Sequence, residues 1–209
     1  MLKTNQLNKY KMKNCKTILV QAMIFLAVIL GSSCGNKTDK KDIDTKEAAQ
    51  DSNEVKMETA NTKSTEKDAK FLVNVAEINI EEISLGQLAQ QKGTMQHVKD
   101  LGKMMEDGHA KVQNDLVALA KVKSISIPTS QTESGQDAYK KLIQKSGLDF
   151  DKSYAEMMVS GHKDAIAIFE TASTDSSDPD IKKWATGMLP SLKDHLKHAQ
   201  MCQSECDKK

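Results

Sequence analysis

Residues 98–119 read VKDLGKMMEDGHAKVQNDLVAL, and this stretch decides the fold. Its large apolar residues recur at steps of three and four, which places them on one face of a helix. One polar residue, His109, lies on the same face near the middle of the stretch. The pattern predicts an amphipathic helix in a helical bundle, with an imidazole on the side that faces the core.

Three further stretches have the same helical period. Their apolar stripes run from Phe71 to Ala89, from Tyr154 to Phe169 and from Ile181 to Cys202. Each stripe carries one polar exception: Glu82, His162 and His195 respectively. The word Met-Met-x-x-Gly-His occurs twice and ends at His109 and at His162. Signals for β-strands are weak after residue 68, so the sequence favours an all-α fold.

We place the four predicted helices at residues 68–93, 95–122, 149–174 and 178–205. Asp178 followed by Pro179 is typical of a helix start. The connection between helices 2 and 3 is long for a turn, and it could return the chain along the bundle as the single crossover of ferritin-like folds does. The sequence therefore predicts an all-α, ferritin-like four-helix bundle with a long connection between helices 2 and 3.

The four polar exceptions each lie near the midpoint of a predicted helix. Because midpoints share a common height in a compact bundle, we expect Glu82, His109, His162 and His195 to converge in the core. One carboxylate and three imidazoles could hold one transition metal ion, with Zn, Mn, Fe and Cu all suitable. The alternative is a buried polar network in which Glu82 accepts hydrogen bonds from the histidines, the commoner outcome for buried polar groups.

Glu106 lies three residues before His109 and is a weaker candidate, as a further ligand or an outer partner of the metal. A di-iron carboxylate centre needs two Glu-x-x-His pairs and two further glutamates. Val159 and Leu192 occupy the positions three before His162 and His195. This difference argues against di-iron chemistry.

A second group of possible ligands lies near the end of the chain. His198, Cys202 and Cys206 are spaced by four and therefore share one helical face. They form a weak alternative site for Cu(I) or Zn. In an exported protein, free thiols or a disulfide are the more usual use of such cysteines.

The first 33 residues have the pattern of a secretory signal peptide, with five lysines followed by an apolar run. The run ends in Leu30-Gly31-Ser32-Ser33-Cys34, which resembles the lipobox of bacterial lipoproteins. The resemblance implies lipidation of Cys34 and attachment to a membrane. Gly35 resembles the signal for outer-membrane sorting, so we expect a cell-envelope, outer-membrane lipoprotein that faces either the periplasm or the surface.

Residues 34–67 are polar and without a period, which predicts a disordered tether between the lipidated Cys34 and a folded domain at 68–206. Removal of residues 1–33 takes away five lysines and no acidic residue, so the net charge changes from +1 to −4. The chain contains no arginine. A mildly acidic protein without arginine is not expected to bind nucleic acid.

Residues 70–201 resemble a bacterial family, the domain of unknown function numbered 4142. The resemblance rests on matching residues in all four helices: Phe71, Ala76, Glu82, Met105-x-Asp107-x-His109, Phe150-Asp151-x-x-Tyr154, Met158-x-x-x-His162 and Leu189-Pro190-x-Leu192-x-x-His195-x-x-x-Ala199. It implies a ferritin-like bundle and supplies no activity.

The sequence contains no Gly-rich phosphate loop, no Gly-x-Ser-x-Gly elbow and no cysteine–histidine pair with a nucleophile context. We therefore expect a non-catalytic binding or structural module, engaged in metal handling or stress protection. Two alternatives stay open: a metal-dependent redox enzyme that uses the same cluster, and a purely structural protein whose cluster is a polar core. No protein partner follows from the sequence.

Overall fold

The computed structural model of the protein describes residues 44–60 and 63–209, and all the regular secondary structure of these residues is helical. The helices are α1 (Thr45–Ala60), α2 (Lys63–Lys92), α3 (Gln96–Val122), α4 (Glu133–Ile143), α5 (Gly147–Asp175) and α6 (Pro179–Asp207). The predicted all-α class is confirmed. The four long helices α2, α3, α5 and α6 correspond to the four predicted ones, with ends that differ by a few residues.

Two apolar layers hold the four long helices together and reveal their directions. The first layer contains, from α2, α3, α5 and α6 in turn, Leu88, Val98, Phe150 and Cys202. The second layer contains, in the same order, Phe71, Leu116, Phe169 and Ile181. The end of α3 therefore lies in the same layer as the end of α5, so these two helices are parallel, whereas α2 is antiparallel to α3 and α5 to α6.

Because α3 and α5 are parallel, the chain must travel back along the bundle between them. The connection from 123 to 146 does this and includes α4, which packs on α2 and α5. Thr132 fixes its start: its hydroxyl accepts the N–H of Gly135 at 3.2 Å and donates to Glu77 Oε1 of α2 at 2.8 Å. The helical bundle and its long connection are confirmed, and the kinship with ferritins stays a prediction.

The α2–α3 hairpin depends on a pair of glycines. A Cβ on Gly86 would lie 2.5 Å from the carbonyl oxygen of Gly102, and a Cβ on Gly102 would lie 2.7 Å from the carbonyl oxygen of Gly86. Real Cβ atoms do not approach backbone oxygens so closely. The two glycines therefore set how near α3 can lie to α2.

Helix starts are capped both locally and across the bundle. Asp178 accepts the N–H groups of Asp180 at 2.9 Å and Ile181 at 3.2 Å, which confirms the predicted start of α6. The start of α3 is capped from another helix: the fully buried carboxylate of Asp151 on α5 accepts the N–H groups of Thr94 and Met95, both at 3.0 Å. Sequence periodicity does not reveal this second cap, because its partners are more than fifty residues apart.

The structure differs from the sequence analysis over residues 45–60 and 63–67, which are helical where we predicted a disordered tether. Helix α1 packs on α2. Its buried Asn53 forms two hydrogen bonds of 2.8 Å with the backbone of Ser126, one to the carbonyl and one from the N–H. The tether was predicted from the shortage of apolar residues, whereas α1 is held largely by polar side chains that bond the long connection. The folded unit therefore begins before residue 68.

The predicted signal peptide, Cys34 and the tether up to residue 43 lie outside the described residues. Among the described helices, none has an apolar stretch of the length needed to cross a bilayer.

Candidate metal centre

Three histidines from three helices meet between the two apolar layers. His109 comes from α3, His162 from α5 and His195 from α6, with exposed fractions of 3%, 1% and 8%. We call these residues the histidine triad. Their ring centroids form a nearly equilateral triangle with sides of 5.5, 5.4 and 5.4 Å. The placement of the three histidines in one core layer follows from their position on the predicted stripes.

The ring nitrogens of the triad are close enough to share one ion. His109 Nε2 lies 3.4 Å from His162 Nε2, which lies 3.4 Å from His195 Nδ1. Each residue has one ring nitrogen within 4.8 Å of those of the other two. Zinc–nitrogen bonds of about 2.0–2.1 Å in a tetrahedron separate neighbouring nitrogens by about 3.3–3.4 Å. Two of the three separations therefore already have the value that a tetrahedral ion requires.

The hydrogen bond on the far side of the His109 ring fixes which nitrogen carries its proton. His109 Nδ1 lies 2.9 Å from Asn79 Oδ1, an oxygen that can only accept. The orientation of the Asn79 amide is supported in turn, because its nitrogen donates to Gln113 Oε1 at 3.1 Å. Nδ1 of neutral His109 is therefore protonated, and Nε2 presents a lone pair to the triad.

His162 follows the same rule with a different partner. Its Nδ1 donates to the Met158 carbonyl one turn earlier on α5, at 2.9 Å. In the neutral ring, Nε2 then has a lone pair that faces the lone pair of His109 Nε2 at 3.4 Å. Two facing lone pairs repel unless a proton or a metal cation lies between them. An outer partner that fixes the tautomer and aims the ligand nitrogen is usual at metal-binding histidines.

Burial keeps the three rings neutral. It lowers the pKa of His162 from 6.5 to about 4 and lowers the pKa of His195. It also lowers the pKa of His109 well below the ordinary value, and the neighbouring His162 and His195 add to the effect. A neutral imidazole is the form that binds metal, so the burial of the triad makes its nitrogens available as ligands near pH 7.

Glu82 lies beside the triad, on the opposite edge of the His162 ring. Its Oε1 is 3.8 Å from His162 Nδ1, the nitrogen turned away from His109 and His195. Burial, with a contribution from nearby Glu81, raises the Glu82 pKa to about 8. The four-residue convergence expected from the helix midpoints is thus a triad with a carboxyl group behind one ring. The midpoint argument gives the height of a side chain and not the ring edge that it meets.

Two glycines next to the histidines make room for this arrangement. A Cβ on Gly108 would lie 2.7 Å from Cε1 and 2.9 Å from Nε2 of His195. A Cβ on Gly161 would lie 3.3 Å from Oε1 of Glu82. The glycine of each Met-Met-x-x-Gly-His word therefore leaves space for a polar side chain that comes from another helix.

Tyr154 and a small cavity complete the surroundings. The Tyr154 hydroxyl is buried and has no hydrogen-bond partner within the part of the chain that the structure describes. Burial raises its pKa well above the ordinary value, and Glu82 adds to the effect. A cavity of about 10 Å³ touches His109 and His195. Its size is about that of one water molecule.

The structure does not bring Glu106 to the triad. Its carboxylate accepts hydrogen bonds from Gln87 at 2.8 Å and Gln90 at 2.6 Å, on the α2 side of the hairpin. These bonds lower the pKa of Glu106. Spacing alone suggested Glu106 as a further ligand or an outer partner, because spacing along one helix takes no account of the glutamines of α2.

The second group of predicted ligands, at the end of α6, lies in two different environments. His198 lines a surface groove, whereas Cys206 is fully buried and packs in the first apolar layer. Both thiols of Cys202 and Cys206 are free. Within the described residues, His198, Cys202 and Cys206 do not form a three-ligand cluster like the triad.

Two partners of the triad were missed by the sequence analysis: Asn79 and the Met158 carbonyl. A signal for Asn79 exists, because it lies three residues before Glu82 and is a second polar residue on the buried face of α2, at 2% exposure. A backbone carbonyl leaves no such signal.

The structure defines the protein as an all-helical bundle with a buried histidine triad. The chain belongs to the domain of unknown function (DUF4142) family, whose model matches residues 53–202. The match includes every residue of the triad and part of α1, which supports the inclusion of α1 in the folded unit. No curated protein and no solved structure shows significant similarity to the chain.

The substitution Gly108→Ala should displace the His195 ring, because the new methyl group would overlap it. We expect a loss of about 1–3 kcal/mol in the free energy of unfolding, as for other overpacked core positions. Urea unfolding measures this loss. The matched control is Gly187→Ala on α6, where a Cβ has no neighbour within 4 Å. That control should gain up to about 1 kcal/mol from helix propensity, and equal effects of the two substitutions would contradict the assigned role of Gly108.

The stability of the metal-free protein should be greatest near neutral pH. Since folding lowers the pKa of His162 from 6.5 to about 4, the unfolded state binds more protons in that range, and stability falls with falling pH. His109 and His195 act in the same direction and together outweigh Glu82 there. Since folding raises the Glu82 pKa from 4.5 to about 8, the folded state binds more protons between these values. Above about pH 6.5, where the histidines no longer oppose this effect, stability falls as pH rises towards 8.

Urea unfolding across this range in the presence of a chelator tests both arms. Glu82→Gln should remove the decline between about pH 6.5 and 8 and preserve the acid decline. An unchanged alkaline decline in Glu82→Gln would contradict a buried neutral carboxyl group at this position.

Proposed function

We propose that the protein is a non-catalytic metal-binding module that holds one Zn(II) ion at the histidine triad. The observation that carries the proposal is the pair of lone-pair nitrogens, His109 Nε2 and His162 Nε2, held 3.4 Å apart by hydrogen bonds on their far sides. A cation between them converts a repulsive contact into two coordination bonds. His195 Nδ1 supplies the third ligand.

The donor set favours Zn(II) among the metals considered. Imidazole nitrogen suits Zn, Cu, Fe and Ni, whereas Mn prefers oxygen ligands and Cu(I) prefers sulfur. Met105 and Met158, one from each Met-Met-x-x-Gly-His word, pack in the first apolar layer, which is the usual use of methionine in a core. The 3.4 Å separations fit the tetrahedral geometry of zinc.

Glu82 would act as an outer partner of the site. Its carboxyl group lies 3.8 Å from the protonated Nδ1 of His162, where a negative charge would make the ring a stronger ligand. Because a bound dication favours the carboxylate form, we expect zinc binding to release the proton of Glu82.

A metal-dependent redox enzyme is a second candidate. Three protein ligands leave the fourth tetrahedral position for water or a substrate. The cavity of about 10 Å³ beside His109 and His195 could hold such a water. This candidate requires a redox metal at the same triad, and Cu and Fe are the redox metals that imidazole ligands suit.

We also propose that the protein works in the cell envelope as an outer-membrane lipoprotein attached through Cys34. The support is the lysine-rich start, the apolar run and the lipobox-like word that ends at Cys34. Metal handling or protection against stress is the role that such a location would suit.

Elemental analysis of the intact chain tests the metal site. After purification without a tag or chelator, and after exposure to Zn, Mn, Fe and Cu, we expect one zinc ion per chain. His109→Ala/His162→Ala should lose it. Asn79→Ala, which removes only the outer partner of His109, should weaken zinc binding by about 10–100-fold without changing the stoichiometry.

Asn114→Ala on the exposed face of α3 is the matched control and should leave zinc affinity unchanged. Retention of the metal in the double variant would place it elsewhere. Failure of the unmodified chain to take up any of the four metals would leave the triad as a polar core. Uptake of Cu or Fe in preference to Zn that is lost in His109→Ala/His162→Ala would favour the redox enzyme.

Lipidation is tested by growth with a radiolabelled fatty acid. The full-length protein should carry label, and Cys34→Ser should abolish it, because the lipobox cysteine is the acceptor. Cys15→Ser is the control, since Cys15 precedes the expected cleavage point. Label that persists in Cys34→Ser would contradict the anchor.

A further inference from the structure

A surface groove lies between the first turns of α3 and the last turns of α6. Its volume is about 390 Å³. Five of its lining residues carry nitrogen or sulfur donors: His97 and Met104 from α3, and His198, Met201 and Cys202 from α6. We call this surface the soft-donor groove.

The positions of the histidines distinguish this groove from the rest of the surface. The chain has five histidines, and three of them form the triad. The other two, His97 and His198, come from different helices and are about a hundred residues apart in sequence, yet they line the same groove. Every histidine of the protein therefore belongs either to the triad or to the soft-donor groove.

Helical spacing explains how the donors come together. His97 and Met104 are seven residues apart on α3, and His198 and Met201 are three apart on α6, so each pair lies on one face of its helix. The two faces are close across the groove. Residues of both helices, His97 of α3 and Glu205 of α6 among them, line the same groove.

We propose that the soft-donor groove binds Cu(I) through the imidazoles of His97 and His198 and the thioethers of Met104 and Met201. Thioether and imidazole are soft or borderline neutral ligands, and thioether sulfur selects Cu(I) over Zn(II). The carboxylate of Asp100 also lines the groove and would balance the single positive charge, whereas Glu205 is already paired with Lys208. His198 has a carboxylate behind it as well, since its Nε2 lies 3.8 Å from Asp194 Oδ2.

Methionine is suited to a site whose donors lie apart until an ion brings them together. Among the described residues, only the triad brings three histidine, cysteine or acidic donors within 4.8 Å. The donors of the groove are more widely spread, and Met201 is 55% exposed. A methionine side chain has three rotatable bonds, which allow its sulfur to reach an ion that two histidines hold only loosely.

Cys202 forms the floor of the groove and is not needed as the main ligand. It is 3% exposed. Its sulfur is therefore largely covered, and the more exposed thioethers of Met104 and Met201 are the sulfur donors that an ion in the groove would meet.

An anaerobic titration of the intact, reduced chain with the Cu(I)–bicinchoninate complex tests this site. Met104→Leu/Met201→Leu preserves side-chain volume, so the fold should survive. We expect the Cu(I) affinity to fall by more than about tenfold, since loss of even an outer partner of a metal can cost that much. His97→Asn/His198→Asn should give a similar fall. All variants keep the four cysteines of the chain, so differences between them do not arise from thiols.

Met57→Leu on α1 is the matched control and should leave Cu(I) affinity unchanged, because Met57 lines a different cavity. The groove variants should also keep any zinc bound at the triad, and His109→Ala/His162→Ala should keep Cu(I). Cu(I) affinity within about twofold of the unmodified chain in both groove variants would overturn the proposal. Loss of Cu(I) in the triad variant alone would overturn it too, by assigning the copper to the core.

Discussion

The hydrogen bonds on the outer edges of the His109 and His162 rings determine which ring nitrogens face the centre of the bundle. A buried imidazole must satisfy two ring nitrogens, and here Asn79 and the Met158 carbonyl each take the proton of Nδ1. The remaining nitrogens then face each other as acceptors, and a neutral His195 can donate its Nδ1 proton to only one of them. Unpaired polar atoms in a core cost about 1–3 kcal/mol each. The packing of the four helices therefore has to support a layer that is unfavourable until a cation or a proton occupies it.

The apolar layers on either side supply that support. Phe71 packs edge-on against Phe169 at 5.1 Å and Trp184 at 6.0 Å, and Phe150 stacks with Tyr154 at 6.4 Å. With the triad between two such layers, its rings cannot relax by moving along the bundle. Ligands on rigid, well-packed helices are more accurately placed than ligands on loops. The same packing that tolerates an unfavourable layer thus pre-arranges a metal site.

The helical period of the apolar residues and the midpoints of the predicted helices were enough to predict the four long helices and the meeting of the three histidines. Both follow from geometry along one helix. They could not show that Glu82 meets the outer edge of His162, since that depends on how neighbouring helices rotate about their axes. They also missed α1. Its stability rests on bonds such as those between Asn53 and the backbone of Ser126, and such bonds leave no apolar stripe in the sequence. Nor could the period and the midpoints show that Gly108 leaves room for the His195 ring, because that ring comes from another helix.

Two sites with different donors on one bundle would separate two metals by ligand type. Among divalent ions, copper binds most nitrogen sites more tightly than zinc, so a zinc-binding triad needs some means of excluding copper. The buried triad is built from imidazoles, whereas the groove between the start of α3 and the end of α6 is lined by two thioethers. If both proposals hold, a surface site that captures Cu(I) would lower the copper available to the core. The methionines of the groove would then help the histidine triad to select zinc over copper, although they do not contact it.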